Sequence, residues 1–214
     1  MNKHQETIAL VAPYAVWMAS MMLLPATGWA YAVRSAATLA CLALGWVLWR
    51  RAGGKIVMPG TMDILVGAAA GLAVWAIWVL PEDFSWYQRL FVAGCGGTAT
   101  ATASPSPYEP AVCGWPLTLA RLAGSAFVIS AAEELFFRKW LYEWLGGRES
   151  RSAFFWMLAL FAVEHNRWLV AIVAGAVYGI LATRRSLGTA IIAHAVTNLV
   201  LGIQVIATGN WNFW

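Results

Sequence analysis

Ala131-Ala132-Glu133-Glu134-Leu135-Phe136-Phe137-Arg138 lies in the middle of a largely apolar run from about Leu117 to Leu145. Two adjacent carboxylates and a guanidinium therefore fall on what reads as a membrane helix. Charge at that depth costs about 2.5–3.5 kcal/mol per residue on insertion scales. A chain that keeps it there usually needs it for function. Glu134 and Arg138 are four residues apart and share a helix face, a spacing suited to a stabilising pair. Glu133 lies about 100° around the helix from Glu134, so the two carboxylates cannot do the same job. One division has Glu134 held by Arg138 while Glu133 faces an internal cavity.

The rest of the chain agrees with a membrane setting. Of its 214 residues, 61% are hydrophobic and 11% charged, and the mean hydropathy is +0.65. Soluble globular domains carry about 25% charged residues, so that class is excluded. The fourteen Trp residues suit interfacial belts, where an amphipathic indole is favoured. The net charge of +4 comes from basic residues scattered at span ends, which points to topology and away from nucleic acid. Cys41 reads as a packing residue. Cys95 and Cys113 flank the one long loop and would pair if it faced an oxidising compartment. No cysteine spacing matches a metal site.

A spanning helix needs about 20 largely apolar residues. That criterion predicts an all-α polytopic bundle of about seven or eight membrane helices around an internal polar cavity. The spans fall near 7–24, 33–49, 62–80, 117–145, 152–166, 168–183 and 187–207, with a short amphipathic or re-entrant piece around 84–96. The first span reads as retained rather than as a cleaved signal. Residues 94–116, rich in Gly, Ala, Thr, Ser and Pro, read as a poorly ordered loop. One membrane domain, 1–214, is expected, with residues 1–116 as N-terminal spans and loop and 117–214 as the part that carries the buried polar groups. The positive-inside rule puts Lys3, Arg50, Arg51, Lys55, Lys139, Arg148, Arg151, Arg184 and Arg185 on the cytoplasmic side, together with the N-terminus. Glu82, Asp83 and Glu109 fall on the opposite side, with Arg34, Arg89, Arg121 and Arg167 as minority positives.

Further polar groups interrupt later apolar segments: Glu164 and His165 after Phe161-Ala162-Val163, and His194 with Asn198. His194 and Asn198 are four apart and project from one face. A buried Glu133 without a partner is a proton acceptor suited to base catalysis. A water held between it and a neutral imidazole is a nucleophile, and a second imidazole and an amide on a facing helix are donors for an oxyanion. The set fits hydrolysis by activated water. Ser130 is near in sequence but has no identified base of its own.

Blander readings compete. A single buried His is more often a packing residue than a catalyst, but two of the three His of the chain lie in late spans beside Glu-Glu and Asn. Glu164 reads as an interfacial residue near Arg167. Gly175 and Gly179 have the small-xxx-small spacing of close helix approach. Zinc would accept Glu and His ligands, but HExxH is absent and Glu164-His165 lacks partner spacing. The same set also suits a proton or ion path, or mere packing in a non-catalytic membrane protein.

Glu133-Glu134-x-x-x-Arg138, Phe161-x-x-x-His165 and His194-x-x-x-Asn198, in this order on separate hydrophobic segments, resemble the signature of the CPBP family. These are the CAAX-protease and bacteriocin-processing (Abi) membrane proteins, also described as glutamic intramembrane proteases. The resemblance covers roughly Leu117 onward. The stretch Glu164-His165-Asn166-Arg167-Trp168 and the tail after His194 are similar to a bacterial CAAX-protease-related group that accompanies exosortase-type C-terminal sorting.

The resemblance implies a glutamic intramembrane endopeptidase in a bacterial inner membrane, acting near the C-terminus of membrane-anchored or lipid-modified proteins. It implies Glu133 as base and His165 as the group that orients water. His194 and Asn198 would stabilise the oxyanion, with Glu134 and Arg138 in support, and no cofactor or metal is called for. Bacteriocin-immunity or scaffold relatives mark the non-catalytic alternative, and a zinc-dependent intramembrane protease is the other. One tension stands. At about 1.5 Å per residue, His194 lies roughly 10 Å into its span and His165 roughly 20 Å from Arg151, so their convergence requires tilted helices or a protruding Arg151 end.

Overall fold

The computed structural model describes residues 3–53, 59–87 and 105–214. Seven main helices follow in order: α1 (Lys3–Leu23), α2 (Gly28–Arg51), α3 (Thr61–Val79), α4 (Trp115–Trp144), α5 (Arg151–Val163), α6 (Trp168–Arg184) and α7 (Leu187–Thr208). Single turns at Leu80–Asp83, Ser85–Tyr87, Pro110–Cys113, Gly147–Glu149 and Trp211–Phe213 complete the described chain, which contains no strand. Cys95, Lys55 and Arg89 lie outside the described residues, as does most of the 94–116 loop. The expected Cys95–Cys113 pairing and the outer part of the 84–96 piece fall there too.

All seven expected helices form, and the chain is a multi-pass membrane protein. Only α1, α2, α3 with its extension to Glu82, α4 and α7 are long and apolar enough to cross a bilayer. With 13 and 17 residues, α5 and α6 are shorter apolar helices, α6 at the lower end of the length that spans a bilayer. Because α5 and α6 form an antiparallel pair, the parity of crossings is unchanged.

The core is assembled on α7, which runs parallel to α3 at very close range. A Cβ on Gly67 would stand 2.9 Å from the Thr189 carbonyl oxygen and 3.0 Å from Ile192 Cγ2. Gly71 is tighter still against the Ala193 carbonyl. Thr197 Oγ1 bonds across this seam to the Gly71 carbonyl at 2.9 Å, and Trp75 Nε1 donates to Gln204 Oε1 at 2.7 Å. Gly175 and Gly179 serve the same purpose between α6 and α5: a Cβ there would meet Phe161 at 2.9 Å and Phe154 at 2.8 Å. Trp29, Trp115 and Trp168 stand exposed at or beside helix starts, and Trp144 at a helix end, as interfacial belts require.

Two readings of surface charge change. Arg167 pairs with Glu82, not with Glu164, and its guanidinium lies 4.6 Å over the Phe213 ring. Arg34 and Arg121 are not loose topological charges: Arg34 is 6% exposed, and both guanidiniums are stacked on aromatic rings. Such contacts contribute about 0.5–2 kcal/mol, less than the several kcal/mol per ion that desolvation costs.

Gly71→Val drives a branched side chain into the Ala193 carbonyl and parts α3 from α7. Overpacking of this kind costs about 1–3 kcal/mol or more, so the thermal unfolding midpoint in detergent should fall, with Gly71→Ala intermediate between the variant and the native chain.

Candidate active site

Helix α4 is not a uniform spiral. Ser130–Glu134 is α-helical, but wider π turns flank it at Gly124–Ile129 and Leu135–Leu141. Such turns recur at functional sites because each leaves a backbone carbonyl out of the regular ladder. Here the Ser125 carbonyl accepts from Ser130 Oγ at 3.1 Å and from Asn198 Nδ2 at 3.0 Å. The five residues between the two wide turns carry both glutamates.

Glu134 is fully buried. Its Oε1 meets Arg138 Nη1 at 3.1 Å and His194 Nδ1 at 2.9 Å. Arg138 is held in turn by the Gly175 carbonyl at 3.4 Å and by the Phe161 face at 4.1 Å. This charge therefore ties α4 to α6 and α7. With Arg138 on the same carboxylate, Glu134 is an acceptor, so His194 Nδ1 donates to it and Nε2 is turned toward the cavity and Glu133. Tyr178 locks the imidazole from one side, stacked at 4.6 Å and 17°. Its hydroxyl donates to Thr197 Oγ1 at 2.8 Å.

Glu133 points elsewhere, as its angle around the helix requires. Its side chain is 13% exposed, and its Oε2 lies 3.8 Å from His194 Nε2. That oxygen has no hydrogen-bond partner among the described residues. Glu133, His165, His194 and Asn198 all line one cavity of about 170 Å³, with Trp78, Phe161, Leu201, Phe213 and Trp214 on its apolar walls. The space suffices for a few waters or a short length of peptide.

Both histidines line this cavity, and the Phe161 ring packs near each of them, 4.6 Å from His165 and 6.2 Å from His194. His165 sits in the turn between α5 and α6, 5.7 Å from the Trp78 ring. Its Nδ1 is 2.8 Å from the Phe161 carbonyl oxygen, which can only accept, so Nε2 is the acceptor nitrogen.

Asn198 Nδ2 donates to both Ser125 O and Ser130 Oγ, at 3.0 and 3.1 Å. Both amide hydrogens are thus engaged with α4, and donation to an oxyanion requires one to turn away. Glu164 stands in the same turn as His165 without an ion pair among the described residues. No three His, Cys, Asp or Glu side chains among those residues are placed to hold a metal ion. Sequence reasoning missed Tyr178, Thr197 and Ser125, since aromatic and hydroxyl residues on apolar helices look like ordinary packing.

Residues 115–200 match the family model described as type II CAAX prenyl endopeptidase Rce1-like. The matched segment runs from α4 into α7 and holds Glu133, Glu134, Arg138, His165, His194 and Asn198. It covers less than half of the chain and supports a peptidase of the CAAX-protease kind. Neither a curated protein nor a solved structure matches the chain.

Arg138→Leu strands the Glu134 carboxylate in the interior. Breaking a buried pair costs about 3–5 kcal/mol, so the unfolding midpoint should drop sharply. Replacing both partners, Glu134→Leu with Arg138→Leu, should recover much of that loss.

Proposed function

We propose that this chain is an intramembrane endopeptidase that hydrolyses a peptide bond with water activated by Glu133. One observation carries the reading. Of two adjacent carboxylates, Glu134 is fully buried with its Oε1 shared by Arg138 and His194, while Glu133 lines a cavity beside an imidazole and its Oε2 has no hydrogen-bond partner among the described residues. Glu133 takes a proton from a water whose other hydrogen is accepted by His165 Nε2. The water oxygen attacks the scissile carbonyl carbon, and the negative charge moves to the carbonyl oxygen. His194, when Nε2 carries a proton, and Asn198, with one amide hydrogen turned from α4, donate to that oxyanion. The proton on Glu133 passes to the leaving nitrogen as the C–N bond breaks.

The aromatic walls suit an apolar segment entering from the bilayer. They support a substrate that is membrane-anchored or lipid-modified and is cut near its C-terminus. An exosortase-type sorting system is a fitting partner for the sorting-tail version of such a substrate. The proposed setting is a bacterial inner membrane with the N-terminus cytoplasmic, and no metal or other cofactor enters the steps above.

Glu133→Ala, His165→Ala and His194→Ala should each lower cleavage by about 10²–10⁴-fold while the protein still inserts. The readout is mass-spectrometric detection of the released C-terminal peptide in proteoliposomes. Full activity in all three variants would end this reading. Loss of native activity on adding a chelator would move it to the zinc-dependent alternative.

A further inference from the structure

The helix ends of the bundle sort into two layers that differ in charge. A Cβ on Gly45 would stand 3.2 Å from the Ala9 carbonyl oxygen, so the start of α1 lies with the end of α2. Tyr14 stacks on Phe136 at 4.4 Å, which sets the same end of α1 beside the end of α4. Arg148, just past α4, donates to the Thr183 carbonyl near the end of α6. Arg185 pairs with Asp63 at the start of α3, at 3.2 Å. Arg50, Arg51, Arg148, Arg151, Arg184 and Arg185 therefore share one layer. The opposite layer has Arg167, which is paired with Glu82, while Arg34 and Arg121 are stacked under aromatic rings.

The cavity runs toward the second layer and is shut toward the first. On the arginine-rich side of Glu133 and His194 stand Phe137, Met157, Phe161 and Tyr178, each 1% exposed, together with the buried Arg138–Glu134 pair. In the other direction the lining continues from His194 through Asn198 and Leu201 to Trp78, His165, Phe213 and Trp214. The last four are half-buried, and Phe213 and Trp214 follow the end of α7. At about 1.5 Å per residue, Leu201 is about 10 Å and His194 about 21 Å from Thr208, where α7 ends. Clustered arginines in short connections mark the cytoplasmic side. The cavity faces away from them.

We propose that the cavity opens on the non-cytoplasmic face and receives membrane-anchored chains whose scissile segment is presented from that face. This rests on the endopeptidase reading and the cytoplasmic N-terminus proposed with it, and adds the side from which substrate and water are supplied. A polar tail on the cytoplasmic side would have to pass the Glu134–Arg138 pair and its aromatic surround to reach Glu133. Desolvating that tail while breaking a buried ion pair is costly. A segment held outside the cytoplasm meets His165 first and Glu133 deeper in.

The test uses the full chain in a bacterial inner membrane, with Cys41→Ser, Cys95→Ser and Cys113→Ser as background. Leu201→Cys reports the cavity, and Arg184→Cys reports the arginine layer. A charged, membrane-impermeant methanethiosulfonate should label Leu201→Cys in right-side-out spheroplasts and leave it unlabelled in inside-out vesicles. Arg184→Cys should show the reverse. Phe213→Cys, near the end of the lining, should follow Leu201→Cys and replaces it if the deeper cysteine disturbs folding. Two single-span reporters carry the same apolar tail, one outside and one in the cytoplasm. The native chain should release peptide from the first and not from the second.

Labelling of the cavity cysteines from the cytoplasmic side, or from neither side, overturns the proposal. So does an Arg184→Cys that reacts in spheroplasts, because the layers are then reversed, and so does cleavage of the cytoplasmic tail alone. Labelling needs no turnover, so the two readings separate. Cavity labelling from outside with neither reporter cut leaves the opening in place and removes the peptidase reading alone. Cleavage of either tail that Glu133→Gln abolishes, with the cavity labelled from the cytoplasm, removes the outward opening alone.

Discussion

Glu134 stands at the junction of three helices with no exposure to solvent, and one of its oxygens meets both Arg138 at 3.1 Å and His194 at 2.9 Å. An ionised group at that depth is tolerable only because it is paired, and the pairing sets much else. It makes Nδ1 the donor of His194, and so sets which nitrogen faces the cavity. It holds Arg138 against the Gly175 carbonyl and the Phe161 ring, so α6 is seated where Tyr178 stacks on His194. It also leaves Glu133 outside the pair, so of the two carboxylates Glu134 is the more deeply buried and Glu133 the more accessible.

The wide turns of α4 are the second constraint. By releasing the Ser125 carbonyl they create an acceptor for Asn198 and Ser130, which latches α7 to α4 one side-chain length from the cavity. The close parallel seam of α3 and α7 at Gly67 and Gly71 completes the frame, with Thr197 joining Tyr178 to that seam. His194 is thus fixed through Nδ1 by Glu134 of α4 and from one face by Tyr178 of α6. A site so constrained suits a reaction whose stabilising groups must be in place before charge develops.

Much of this was legible in the chain because helical spacing is local. The four-residue intervals of Glu134 with Arg138 and of His194 with Asn198, and the 100° between the two glutamates, follow from helix geometry alone. What crosses between helices was not legible. Arg167 meets Glu82 from 85 positions away, although Glu164 is nearer in sequence. His194 Nε2 comes within 3.8 Å of Glu133 from a helix far along the chain, which no local spacing announces. No composition or period announces a π turn, and Tyr178 reads as one more aromatic on an apolar helix. The burial of Arg34 and Arg121 was hidden for the same reason, since a lone arginine near a span end looks the same whether it meets water or three aromatic rings.

The division of labour between neighbouring carboxylates is tested most directly by comparing Glu133→Gln with Glu134→Gln, isosteric changes that remove one charge each. Turnover and the thermal midpoint are measured on the same preparations. Unequal roles predict that Glu133→Gln loses cleavage by at least about a hundredfold and keeps its midpoint, while Glu134→Gln loses stability and retains measurable turnover. Normal turnover in Glu133→Gln, or a catalytic loss confined to Glu134→Gln, would contradict the assignment of Glu133 as the base.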